Sequence, residues 1–183
     1  MSAALGVLVS GSGSNLQALL DDGLPVVAVA SNIPGVNALE RAAAAGLPTA
    51  VFTAVSPDDR DARDAAIARW FLAHGVTHVV CAGYMHILRP SFLDRFPGRV
   101  VNVHPALLPA FPGAHAVQEA LAAGVERTGA TVHLVDEGVD TGPVLRQEAV
   151  PVLPDDTPET LHARIREVEH RILPATIREL IAV

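Results

Sequence analysis

The sequence has 183 residues and carries 13 basic and 20 acidic side chains, a net charge of −7; 50% of its residues are apolar and only 4% are aromatic. This length predicts one domain over residues 1–183, with a core of aliphatic side chains. Every basic residue is an arginine, which excludes Schiff-base chemistry and the lysine-bearing phosphate loop of nucleoside triphosphatases. The acidic balance disfavours binding to a nucleic-acid backbone.

The sequence also lacks the signatures of secretion and membrane insertion. Cys81 is the only cysteine, so neither an intramolecular disulfide nor a CxxC zinc site can form. The N-terminal residues have no basic region typical of a signal peptide, and no run approaches the ~18 apolar residues that span a bilayer. We therefore expect a cytoplasmic protein with no membrane partner.

Short apolar runs alternate with helical patterns along the first part of the chain. The runs are too short for helices and lie at Leu5–Val9 and at residues 26–30, 50–52, 78–82 and 99–103. Helical patterns follow residue 14 and cover residues 38–45 and 61–73. Apolar strands that alternate with helices are typical of an α/β fold, with a mostly parallel sheet and helices on both faces.

The pattern changes after about residue 125. Two strand-like stretches, residues 130–135 and 144–152, are separated by a glycine-rich turn and are expected to pair as an antiparallel edge of the sheet. A final helix is expected to begin at Pro158, with Thr157 as its cap. Pro174 is expected to kink or interrupt this helix.

A glycine-rich loop at residues 11–15 follows the first apolar run and opens a helix. Backbone N–H groups at such a helix start can bind phosphate. A dinucleotide site is disfavoured, because Leu16 replaces the third glycine and no acidic residue follows the second run. A phosphomonoester fits better, although a simple strand-to-helix turn is the structural alternative.

Two further segments carry polar side chains where strands end. Asn102 and His104 are two residues apart on a predicted strand, so they share one face and can stabilise an oxygen that becomes negative during acyl transfer. Asp140 lies in a glycine-flanked acidic loop, and contact with His104 would favour the imidazolium and allow proton transfer. Structural residues and an acidic hairpin turn are the alternatives. His104, His115 and His133 can meet in space, but their spacing does not demand a metal, and we expect none.

Taken together, these segments resemble the phosphoribosylglycinamide formyltransferase family, which is folate-dependent and acts in purine synthesis. The resemblance covers nearly the whole chain and rests on the glycine loop, Ala-Gly-Tyr-Met-His-Ile-Leu (82–88), Asn-Val-His-Pro-Ala-Leu-Leu-Pro (102–109), Pro-Gly-Ala-His (112–115) and residues 136–143. It implies a Rossmann-like fold and direct formyl transfer from 10-formyltetrahydrofolate to the amine of 5-phosphoribosylglycinamide, through a tetrahedral oxyanion and without a metal. It leaves a monomer or a homodimer open.

The resemblance also implies roles for individual residues. Asn102, His104 and Asp140 match the catalytic trio. The residues that match the phosphoribosylglycinamide site are Gly13, Ser14, Asn15, Arg166, Glu167, Val168 and Glu169. The residues that match the folate site are Arg60, Met85, His86, Ile87, Leu88, Asn102, Asp136, Glu137, Gly138, Val139 and Asp140.

Two departures and several alternatives accompany this interpretation. His86 stands where the family usually has arginine, and Ala110 stands where it commonly has a basic residue. The nearest alternative is a formyltetrahydrofolate hydrolase, in which water replaces the amine. An NADP-dependent reductase and a non-catalytic phosphoribosyl-binding module are alternatives from other classes. A methionyl-tRNA formyltransferase is disfavoured because it would need a basic domain for the tRNA.

Overall fold

The computed structural model describes residues 2–54 and 56–182. The chain divides into two compact units, and the boundary in the sequence lies between Val101 and Asn102. The expectation of one domain over residues 1–183 stays a prediction. Among the described residues, no helix is both long and apolar enough to cross a bilayer.

The first unit is built on a parallel sheet. Strand β1 pairs in parallel with β2 and with β4, and β3 extends the sheet by pairing in parallel with β2. All five residues of β1 are buried, so both faces of this strand are covered. The apolar runs predicted from the sequence all form strands, with bounds that agree to within one residue. The elements are β1 (Leu5–Val9), α1 (Ser14–Asp21), β2 (Val26–Ser31), α2 (Asn37–Ala44), β3 (Thr49–Val51), a 3-10 turn (Pro57–Asp59), α3 (Arg60–Ala73), β4 (His78–Cys81), α4 (Pro90–Leu93) and the first two residues of β5 (Val100–His104).

The second unit contains the rest of β5 and the predicted antiparallel edge. Its strands follow the order β5-β6-β7, and β6 and β7 pair antiparallel, which confirms the prediction. The last helix, α6, packs against both β6 and β7. The new elements are α5 (Ala116–Ala122), β6 (Arg127–Leu134), β7 (Val144–Pro151) and α6 (Pro158–Ile181).

Helix α6 begins as predicted but is not interrupted at Pro174. The Thr157 side chain caps its N-terminus by accepting a hydrogen bond from the Thr160 N–H. Pro174 lacks an N–H donor, yet the helix continues to Ile181 as one element. The residues around the proline are buried, and the Thr176 hydroxyl donates to the Ile172 carbonyl at 2.7 Å. Packing therefore outweighs the loss of one backbone hydrogen bond.

Candidate active site

The structure brings Asn102, His104 and Asp140 together in the second unit. Asn102 and His104 leave the same face of β5, as their spacing predicts. The Asn102 amide nitrogen lies 3.4 Å from Asp140 Oδ1, and His104 Nδ1 lies 3.3 Å from Asp140 Oδ2. An amide donor, an imidazole and a carboxylate therefore meet, although 38 residues separate Asn102 from Asp140 in the sequence.

His104 is held at both ring nitrogens. Its Nε2 lies 2.7 Å from the carbonyl oxygen of Phe111, which can only accept a hydrogen bond, so Nε2 carries a proton. Its Nδ1 faces Asp140, and the side chain is only 5% exposed. Nδ1 is therefore the ring nitrogen that can bind either Asp140 or another hydrogen-bond partner beside it.

A constrained loop presents Asp140. The Asp136 carboxylate accepts hydrogen bonds from the Gly138 N–H and from the Thr141 hydroxyl, which closes the loop. Asp140 has φ +53, a left-handed conformation that is uncommon outside glycine and is often found at functional sites. Gly142 must be glycine, since a Cβ there would collide with the carbonyl oxygen of Leu134.

The surroundings of Asp140 favour its ionised form. Burial alone would raise its pKa, but hydrogen bonding and nearby charge, including the Gly113 N–H and the charge of His104, hold the pKa below the usual value. The Gly113 N–H donates to Asp140 Oδ2 at 2.8 Å. Asp140 is therefore a carboxylate at neutral pH.

His133 is a fourth member of this cluster; from the sequence it is expected only to be able to meet His104 and His115 in space, with no role beside Asn102 and Asp140. Its Nδ1 lies 2.8 Å from the carbonyl of Leu134, so Nε2 is left to accept a hydrogen bond from the Asn102 amide at 3.2 Å. This contact fixes which end of the Asn102 amide faces Asp140. The register of β6 against β7 shifts between Val132 and His133, because Leu145 of β7 has no partner on β6; the pairing is therefore irregular beside His133.

The other candidates for a histidine cluster do not join it. His115 is exposed at the N-terminus of α5. Within residues 2–54 and 56–182, no three His, Cys, Asp or Glu side chains are arranged to hold a metal ion. The expectation that the protein uses no metal stays a prediction.

In the first unit, helix α2 holds the glycine loop through the loop's carbonyl groups. The Ala38 N–H donates to the Gly11 carbonyl at 3.1 Å, and the Arg41 Nε donates to the Ser12 carbonyl at 2.9 Å. Gly13 is the N-cap of α1 with φ +74, and no side chain caps that helix end. Gly13 has no side chain that could cap this helix end, and a helix start of this kind can bind phosphate through its backbone N–H groups.

The segment 85–88, also in the first unit, exposes apolar side chains. Met85 is 60% exposed and Ile87 is 55% exposed, whereas Leu88 is buried. Two exposed apolar side chains on one short segment suit a flat aromatic ligand. Burial, with the charges of Arg63 and Arg60, lowers the pKa of His86, so His86 does not supply the permanent cation that an arginine would.

The remaining predicted site residues lie on elements of both units. Arg60 is the first residue of α3, and residues 136–139 form the exposed part of the Asp140 loop. On α6, Val168 and Glu169 are buried, Arg166 is half-buried and Glu167 is exposed. The structure therefore places each of these residues, but their contacts with substrates stay predictions.

Comparison with known proteins identifies the class. The family model described as formyl transferase matches residues 4–177, and the chain belongs to this family. The crystal structure of glycinamide ribonucleotide transformylase 1 from Symbiobacterium toebii superposes with a TM-score of 0.95 and 45% identity, over 99% of this chain and 88% of that chain. The Rossmann-like fold expected from the resemblance is confirmed.

Relatives with curated names define the similarity more closely. The chain is 51% identical over 182 residues to the phosphoribosylglycinamide formyltransferase of Mycobacterium tuberculosis, which covers 97% of this chain and 85% of that protein. It is 45% identical over 183 residues to the trifunctional purine biosynthetic protein adenosine-3 of Drosophila melanogaster, covering 96% of this chain and 14% of that protein. The resemblance predicted from the sequence is confirmed.

Proposed function

We propose that this formyl transferase moves the formyl group of 10-formyltetrahydrofolate onto the amine of 5-phosphoribosylglycinamide, a step of purine biosynthesis, by direct attack through a tetrahedral oxyanion. The acceptor and the pathway are those named for the relatives described above. The single observation that carries the chemistry is the convergence of Asn102, His104 and Asp140 in the second unit.

The neutral amine attacks the formyl carbon, and the carbonyl electrons move to the formyl oxygen. Asn102 donates a hydrogen bond to this oxygen. Its hydrogen bond to Asp140 is long, at 3.4 Å, so an oxyanion at a shorter distance would be the stronger acceptor and would replace it. His133 holds the Asn102 amide in the required orientation.

His104 donates the second hydrogen bond to the oxyanion, from Nδ1. The Phe111 carbonyl occupies Nε2, and Asp140, 3.3 Å from Nδ1, stabilises the imidazolium by its charge. Preorganised donors of this kind stabilise charge that develops in the transition state.

Asp140 manages the proton that the amine loses. As the tetrahedral intermediate collapses, the bond between the formyl carbon and N10 breaks, and N10 takes up a proton. Asp140 passes this proton from the attacking nitrogen towards N10, with a water molecule as relay. The transfer is direct, so it requires neither a metal ion nor a covalent enzyme intermediate.

The two substrates are assigned to segments that the structure describes separately. The start of α1 binds the phosphate of the acceptor, and the segment 85–88 packs on the folate ring system through its two exposed apolar side chains. The residues proposed for the acceptor are Gly13, Ser14, Asn15, Arg166, Glu167, Val168 and Glu169. The residues proposed for the folate, besides the catalytic trio, are Arg60, Met85, His86, Ile87, Leu88, Asp136, Glu137, Gly138 and Val139.

One assay tests the proposed function against its alternative. The protein is mixed with 10-formyltetrahydrofolate with and without phosphoribosylglycinamide, and the release of tetrahydrofolate is followed. Release only in the presence of the acceptor is the expected result. Release without the acceptor would instead indicate a hydrolase, and no release in either mixture would contradict the proposal.

A matched pair of variants ties this activity to the trio. Asp140→Asn removes a half-buried carboxylate, and Glu179→Gln removes an exposed carboxylate that pairs with Arg146 in the same unit. We expect only Asp140→Asn to slow acceptor-dependent release, by about 10² or more. Equal activities of the two variants would contradict the role assigned to Asp140.

A further inference from the structure

Ser10 is a buried polar residue that none of the proposed roles uses. It follows the last residue of β1 and precedes the glycine loop, and it is 8% exposed. Its hydroxyl donates to the side-chain oxygen of Asn32 at 2.5 Å and accepts from the N–H of Met85 at 2.9 Å. One hydroxyl group therefore uses both its donor and an acceptor site on long-range partners.

The position of Ser10 in the sheet explains why it reaches both partners. Strand β1 lies between β2 and β4. Asn32 directly follows β2, and Met85 belongs to the segment after β4. The Ser10 side chain thus joins the loops that follow three neighbouring strands at their carboxyl ends, where open α/β sheets bind their ligands.

We propose that Ser10 is a positioning residue that fixes the folate-binding segment 85–88 relative to the glycine loop. This inference rests on the proposed function, since that function assigns the folate to this segment. The segment exposes the side chains of Met85 and Ile87 but is held through the backbone of Met85. Without the Ser10 hydroxyl, the segment 85–88 loses this hydrogen bond. Folate binding must then order the segment, and the free-energy cost of that ordering lowers the affinity for folate.

The chain offers a matched control at the opposite end of the same two strands. Thr77 precedes β4, and its hydroxyl accepts from the Ala4 N–H at 2.9 Å, just before β1 begins. Ser10 and Thr77 thus each join the segments that flank β1 and β4 through a hydroxyl and a backbone N–H. Only Ser10 does so beside a proposed substrate segment.

The kinetic test compares Ser10→Ala with Thr77→Val. We expect Ser10→Ala to raise the KM for 10-formyltetrahydrofolate about tenfold, as the loss of one buried hydrogen bond would, with kcat within about threefold of wild type. Ser10→Thr, which keeps the hydroxyl, should restore the KM, and Thr77→Val should leave it unchanged. A KM for Ser10→Ala within about twofold of wild type, or an equal rise in Thr77→Val, overturns the proposal.

Amide hydrogen exchange tests the same contact without activity. In Ser10→Ala, the Met85 amide should exchange at least about tenfold faster, because its acceptor is gone. The Ala82 amide, which donates to the Leu8 carbonyl at 2.9 Å, should keep its protection. Equal acceleration at both amides would mean general destabilisation and would overturn the proposal. Ser10→Cys, a weaker hydrogen-bond partner of similar size, repeats both tests if the alanine variant does not fold.

The two proposals fail in distinguishable ways. If wild-type protein releases no tetrahydrofolate in the presence of both substrates, the proposed function fails, and the exchange of the Met85 amide still decides whether Ser10 positions the segment. If the wild type transfers the formyl group but Ser10→Ala keeps its KM, only the inference about Ser10 fails.

Discussion

Gly13 is the loop position at which the backbone leaves no alternative to glycine. It has φ +74, and a Cβ there would lie 2.6 Å from the backbone Cα of Ala38 and 2.7 Å from its Cβ. Gly11, in the same loop, has neither a positive φ nor an atom within 4 Å of an added Cβ, and Gly23 has φ +69 but open space around it. The three glycines therefore separate the effect of backbone conformation from that of packing.

Alanine substitutions at these positions should form a graded series. A left-handed conformation destabilises alanine by about 1–2 kcal/mol. Alanine also reduces the conformational freedom of the unfolded chain, which stabilises the folded state by about 0.4–1 kcal/mol. Gly23→Ala should thus destabilise by about 1 kcal/mol, and Gly11→Ala should be neutral or slightly stabilising. Gly13→Ala adds about 1–3 kcal/mol for overpacking against Ala38, for a total of about 3 kcal/mol.

Urea unfolding measures the series directly. The midpoint should fall from Gly11→Ala to Gly23→Ala to Gly13→Ala, with an unchanged slope m. Any Gly13→Ala protein that remains folded should also show a raised KM for phosphoribosylglycinamide, since the start of α1 is displaced. A free energy of unfolding for Gly13→Ala within about 1 kcal/mol of that for Gly11→Ala would refute the packing of this loop against α2.

Four further predictions concern the trio and the start of α6. Asn102→Ala should reduce kcat by about 10²–10³, the usual loss of one oxyanion donor; turnover within about threefold of wild type would give Asn102 another role. Asp140→Asn should reduce kcat by about 10² or more at every pH at which wild type is active, and a kcat equal to that of wild type across the pH range would remove Asp140 from the mechanism. The proposed mechanism uses Nδ1 of His104, so His104→Asn, whose amide reaches the Nδ1 position, should retain more activity than His104→Gln. The reverse order in steady-state kcat would assign the role to Nε2. Hydrogen bonds from Arg164 hold the pKa of Asp156 far below its usual value. The Asp156 carboxylate therefore stabilises the fold fully above the unfolded pKa of about 3.9, and this stabilisation is lost as the pH falls through the folded pKa. The Tm of Asp156→Asn should accordingly approach that of wild type below about pH 4, and a difference in Tm that does not change with pH would contradict this linkage.

Strands β1, β2, β4 and β5 could be predicted from the sequence because they are largely buried. A strand covered on both faces, such as β1, carries no polar side chain, and β1 ends at the residue before the polar Ser10. The short helices α4 and α5 could not be predicted in the same way. Helix α4 has only four residues, and α5 is short and alanine-rich, so neither shows a clear helical period.

The candidate site was predictable where a local rule applies. The shared face of Asn102 and His104 follows from the two-residue period of a strand. The contact of Asp140 with His104 was expected only as a condition, because it depends on a loop that a positive φ at Asp140 shapes. The contribution of His133 depends on a contact with Asn102, 31 residues away in the sequence, and such a contact leaves no signal in the local sequence.

Ser10 and Asp140 both lie in loops just beyond the ends of strands, and this position satisfies an energetic requirement. A buried polar group without a partner is costly, and a loop beyond a strand can supply such partners from its backbone and side chains. Ser10 satisfies this condition beyond β1 with Asn32 and Met85, and Asp140 satisfies it beyond β6 with the Gly113 N–H and the Asn102 amide. The same hydrogen bonds that make burial tolerable also fix the loops in place. The apolar strands and the ordered polar loops are therefore two consequences of one constraint on burial.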